Sequence, residues 1–234
     1  MASNGLPVDR LRDYLRELKP EARALLMAEL ERGRLRGEEL PALGLILREL
    51  REALETRDLE RVIVLLKDIH DAARGLRTEL DLSGDHPWGR QLAAVRAEVS
   101  AAIEAQIVTV PGRVHRLLRP RGRGEGGILA DRDIVEVEAL IDLVRACRTY
   151  AAELAVNEAT LRVQSQLEHY LDTGLAPLLD GLRQAAPGER ALRQAQVDAA
   201  ARFAAKIFGS EYAAVLLKAA DVAAHGTDPR AAKA

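Results

Sequence analysis

Five arginines crowd one short stretch: Arg113, Arg116, Arg119, Arg121 and Arg123, with His115 among them and no acid in between. Cations this close repel one another unless an anion or an acidic surface answers them. The phosphates of a nucleic acid or an acidic membrane surface have that chemistry. Taking these five from the 34 basic residues leaves 29 against 36 acidic ones, so a +5 segment sits in a chain whose remainder carries -7. Two features weigh against nucleic-acid readout. Single-strand sites stack bases on aromatics, and the nearest, Trp88 and Tyr150, lie outside the stretch. Asp131, Asp133, Glu136 and Glu138 just downstream compete for the same cations. The segment reads first as a self-satisfied basic linker and second as a site for nucleic acid or acidic lipid.

Other constellations are weaker. Gly122-Arg123-Gly124-Glu125-Gly126-Gly127 matches the spacing of a dinucleotide-binding turn. That turn works only between a strand and a helix N-terminus, and Arg-Pro-Arg precedes it here. The histidines, His70, His86, His115, His169 and His225, fall in neither H-E-x-x-H nor E-x-x-H, the spacings that put two ligands on one helical face. Asp81, Ser83 and Asp85 begin like a calcium loop, but His86 and Leu92 stand where it needs Gly and Glu. Cys147 is the only cysteine and lies on an apolar stripe, so it reads as a packing thiol. No G-x-S-x-G occurs. Asn157, Glu158 and Arg162 could line a small polar site between helices, which leaves an enzyme as the weakest of three functional readings. The sequence calls for no metal and no cofactor.

The aromatics supply one more candidate. Seven are present in 234 residues, and five fall at or after residue 150: Tyr150, Tyr170, Phe203, Phe208 and Tyr212. Phe203, Phe208 and Tyr212 lie in the C-terminal helices. Packing in the core of those helices is the first reading, and any part of that stripe left exposed is instead an interaction surface.

The elements that carry these residues are helical throughout. Val8, Leu11, Leu15 and Leu18 recur at three and four, and Pro20 opens a second helix. A third runs from about Ala42, and a fourth follows Thr56, read as its N-cap. Leu59, Val62, Leu66, Ile69, Ala73, Leu76 and Leu80 keep an unbroken three-four alternation, which is heptad spacing. Asp85 and Pro87 start the next helix, and Pro111-Gly112 ends or kinks it. Asp131 caps an expected helix of about 40 residues, Arg132 to Asp172. Its apolar stripe jumps by two residues between Leu154 and Val156, so its halves bury different faces. Gly174 closes it, a short helix follows from Pro177 to Ala185, and the last helices span Glu189–Phe208 and Ser210–Ala224.

The expected fold is all-α: a Leu-rich N-terminal helical unit over 7–82 and a longer antiparallel bundle over 88–224. A basic Gly/Pro linker at 113–130 interrupts the bundle, and 225–234 form a flexible tail. Near-neutral charge excludes a globally basic binder. One cysteine excludes an internal disulfide, and no apolar run reaches the length of a membrane span. A cytoplasmic location is expected. The preference for Arg over Lys reads as the codon usage of a GC-rich bacterial genome. The leading expectation for function is a non-enzymatic helical scaffold or adaptor that binds a protein partner or itself.

Overall fold

The computed structural model describes residues 41–80, 87–119 and 129–225. The helices expected before residue 41, the Asp81–Asp85 break, the Gly-rich core of the basic linker and the tail beyond His225 lie outside the described residues. Within them every regular element is an α-helix, and no strand occurs. The helices are α1 (Pro41–Thr56), α2 (Leu59–Leu80), α3 (Pro87–Ile107), α4 (Val110–Leu118), α5 (Asp131–Leu154), α6 (Asn157–Arg183), α7 (Arg190–Phe208) and α8 (Ser210–His225). They fall into two compact units. The first takes the described residues up to Ala105 together with Ala146–Asn157; the second takes Gln106–Arg145 and Glu158 onward.

In the first unit α1 and α2 pack as a hairpin. Leu59, Val62, Leu66, Ile69 and Ala73 are all buried, as their heptad spacing demands. The turn between the helices is a Schellman motif: Arg57 N–H donates to the Leu54 carbonyl at 3.3 Å and Asp58 N–H to the Ala53 carbonyl at 2.9 Å. Arg57 holds the left-handed position usually given to glycine, at φ 58°. The N-cap of α2 is Asp58, whose Oδ1 accepts from the Arg61 N–H at 3.1 Å. Thr56, the residue expected there, instead ends α1 and donates its hydroxyl to the Glu52 carbonyl at 2.8 Å. From α3 come Leu92, Val99 and Ile103, and from the end of α5 come Cys147 and Leu154, all buried. Arg51 and Glu98 form an ion pair on the surface of this unit.

The single helix expected over 132–172 is two helices. The chain breaks at Ala155, which takes φ 55°, and α6 restarts at Asn157 and runs to Arg183. This is the place where the apolar stripe jumps by two residues. A shift of roughly 200° is made by breaking the helix rather than by burying two faces of an unbroken one. Ala gives no warning, since it is the best helix former. Further on, Gly174 does not end the helix and Pro177 does not begin one: Pro177 lies inside α6. Pro177 and Thr173 are both exposed, so the carbonyl that loses its N–H partner faces solvent.

The second unit is built around α6. Val163, Leu167, Leu171, Leu175, Leu178 and Leu182 form its buried face. Helix α7 contributes Ala199, Ala200, Ala201, Phe203 and Ala204, small residues that let α8 approach closely with Ala213, Leu216, Ala220 and Ala223. Gly209 joins α7 to α8 at φ 99° and ψ 166°, a backbone conformation open essentially to glycine alone.

Candidate functional site

Three of the five arginines of the basic segment are described. Arg113 sits in α4 and donates from Nη1 to Glu136 Oε1 of α5 at 2.5 Å, both side chains about one-third exposed. The pair borders a cleft of about 200 Å³ with Arg116, Leu117, Asp133 and Val137. Thus part of the acidic start of α5 faces the basic helix, the intramolecular neutralisation that the spacing of the charges suggests. Arg116 and Arg119 are exposed. His115 meets Tyr170 edge to face at 5.2 Å. Arg121 and Arg123 lie outside the described residues.

Buried Gln196 of α7 fixes the end of α4. Its Nε2 donates to the carbonyls of Leu117 at 3.3 Å and Arg119 at 2.9 Å. These carbonyls lie at a helix C-terminus, where the helix itself supplies no donor. Arg193 in turn donates to Gln196 Oε1 at 3.2 Å. The start of α5 is tied to α7 by charge. Arg202 reaches Glu138 and Asp131, and Lys206 reaches Asp142 at 2.6 Å. The carboxylates hold the Arg202 guanidinium proton more tightly than usual, Glu138 foremost. Glutamine 196 is absent from the sequence-derived candidates. A lone Gln in an Ala-rich helix carries no motif, and only its complete burial singles it out.

The aromatic candidates separate. Phe203 is fully buried and belongs to the core of the unit, not to its surface. Phe208 is 36% and Tyr212 38% exposed, and their rings meet at a tilt of 39° with centroids 4.7 Å apart. Tyr212 opens an apolar run along α8. Tyr212, Val215, Ala219 and Val222 are spaced by three, four and three residues, which places them on one face of α8, and Phe208, the last residue of α7, adjoins that face through Tyr212. Val215 and Val222 are 68% and 69% exposed. This face lies roughly 100° round the helix from the buried one formed by Ala213, Leu216, Ala220 and Ala223. Helix α8 therefore carries two apolar faces and buries one. Between the exposed face and Leu175 and Leu179 of α6 runs a groove of about 570 Å³. Residue type alone marks the aromatic half of this stripe but not its aliphatic half, so Val215 is visible only through its exposure.

The remaining chemistry is sparse. Cys147 is fully buried, and burial pushes its thiol pKa up to about 12, so it is neutral and unreactive at physiological pH. Asn157 and Glu158 open α6 rather than lie within a longer helix, and Glu158 pairs with Arg162 at 3.9 Å. Among the described residues no three His, Cys, Asp or Glu side chains gather where they could hold a metal ion. Among the described residues no helix is long and apolar enough to cross a membrane. The chain matches no protein-family model, no curated protein and no solved structure.

Proposed function

We propose that the protein is a non-enzymatic helical scaffold or adaptor, acting through a protein contact in the groove between α6 and α8. The observation that carries this reading is the second apolar face of α8. A heptad-spaced stripe with valines more than two-thirds exposed costs solubility unless something covers it. Its four-three spacing suits a helix, which would lay its own apolar face into the groove. Arg113 of the basic segment already has Glu136 as a partner, so an anionic ligand would have to compete with that carboxylate. The stripe has no such competitor among the described residues of the unit.

The test is a photo-cross-linking residue in place of Val215 in cells that make the chain, beside the same residue in place of Leu161. Leu161 is 59% exposed but stands apart from the stripe. The expected result is a discrete protein adduct from position 215 and none from position 161. Equal background at both positions overturns the proposal.

A further inference from the structure

We propose that the groove between α6 and α8 takes a helix of a different protein, one whose apolar face is flanked by a cationic side chain at the Phe208–Tyr212 end and by a carboxylate two turns further along α8. This rests on the reading of the groove as a protein contact and states the chemistry of the partner. The apolar half of the argument is the stripe. Tyr212, Val215, Ala219 and Val222 keep three-four-three spacing over about 15 Å of α8. Leu175 and Leu179 of α6 wall the other side of the groove. A helix laid along such a stripe can match it turn for turn.

Charge supplies the other half. Among the described residues that line the groove, Glu211 alone is charged. It is exposed and makes no ion pair among the described residues. Phe208 and Tyr212, both partly exposed, line the groove with it. A carboxylate beside two aromatic rings favours a cation, drawn by the charge of the one and by the ring quadrupoles of the others. Lys218 lies seven residues on, two turns and about 10 Å along the same flank of the stripe. It too is exposed and makes no ion pair among the described residues. The flank thus offers a negative and then a positive group at a fixed separation, and a complementary helix presents them in the opposite sense. Helix α8 of a second copy does not meet this requirement. Antiparallel pairing that sets Tyr212 against Val222 covers the whole face but brings Lys218 of one copy beside Lys218 of the other. Pairing that brings Lys218 to Glu211 leaves Val222 bare, and parallel pairing in register answers neither charge.

The experiment is fluorescence anisotropy with three labelled synthetic helices that share one leucine stripe at three-four spacing. On one flank, seven residues apart, the first carries the matching Arg and Glu, the second the same two exchanged, and the third Gln at both. Each is titrated with the full chain, with the double variant Glu211→Lys and Lys218→Glu, and with Val215→Glu. All these substitutions are at exposed positions, and circular dichroism checks that helicity is unchanged. The natural chain is expected to bind the matching helix about tenfold more tightly than the exchanged one, with the Gln helix between them. The double variant inverts that order, and Val215→Glu loses all three helices. Equal binding of the three, binding of none, or an order that the double variant does not invert overturns the proposal. So does an adduct from position 215 that proves to be a second copy of the chain. The two readings fail separately. An adduct from position 215 without charge preference among the helices refutes the stated chemistry and leaves the protein contact standing, whereas no adduct and no bound helix removes both.

Discussion

Replacing Gln196 tests how the second unit holds its basic helix. The side chain is fully buried and makes three hydrogen bonds: two donated to the carbonyls that end α4 and one accepted from Arg193. Gln196→Leu keeps the approximate volume and removes all three. The Arg119 carbonyl is near solvent and can turn to water, and half-buried Arg193 can do the same. The Leu117 carbonyl is buried with Gln196 and loses its side-chain donor. One buried group left unsatisfied costs about 1–3 kcal/mol, and this dominates the expected loss. Gln196→Glu is worse at neutral pH, because it aims a buried carboxylate at two carbonyl oxygens. Burial raises the pKa of such a carboxyl, so the folded state takes up the proton first and the variant regains stability as pH falls. Urea unfolding followed by circular dichroism reads both effects as a shift in midpoint at constant slope. A Leu variant within about 0.5 kcal/mol of the natural chain refutes the reasoning, since that is the range of an ordinary surface substitution. So does a Glu variant whose deficit does not change with pH.

Other consequences follow from single positions. Ala155→Gly should raise stability by up to about 1 kcal/mol, because the left-handed backbone there penalises a Cβ. Gly209→Ala should lower it, although no atom lies within 4 Å of the added carbon, since the cost is in the backbone; thermal unfolding of both variants reads the two signs. Cys147 should resist iodoacetamide in the native protein and react in urea. Its neutral form contributes fully below the unfolded thiol pKa of about 8.5, and stability then falls by about 1.4 kcal/mol per pH unit up to about pH 12, where the folded thiol ionises. Cys147→Ala should remove that alkaline slope. Arg202→Ala should cost no more than about 1 kcal/mol, and less in high salt, because the guanidinium is 42% exposed and solvent screens it.

What the sequence could disclose was periodicity. The stripe from Leu59 to Ala73 is legible because each apolar side chain is answered by burial on the same face. The break at Ala155 was half legible. The phase jump marked its place, but the residue forced into the left-handed backbone is alanine, so no breaker announced it. Pro177 misled in the opposite sense: an exposed proline on a helix anchored by Leu171, Leu175 and Leu178 bends nothing that packing does not hold. The site shows the same division. Phe208 and Tyr212 stood out by type, yet whether an apolar residue on α8 is buried or exposed depends on which of two faces α7 covers. Ala213 and Val215 differ in exposure for that reason alone. Gln196 was invisible because its role depends on carbonyls almost 80 residues away.

The claim that the exposed face of α8 is a contact surface can be read most directly from its own environment. Cys147 is buried and neutral, so Val222→Cys supplies the one thiol in the described part of the chain that an environment-sensitive fluorophore can reach. The probe sits at the end of the stripe. The account predicts solvent-like emission in dilute protein, and a blue shift when the cognate partner is added. Reversal of that shift by Val215→Glu would place the covering on the stripe itself. Solvent-like emission at every concentration and with every extract of the source cells would contradict the claim.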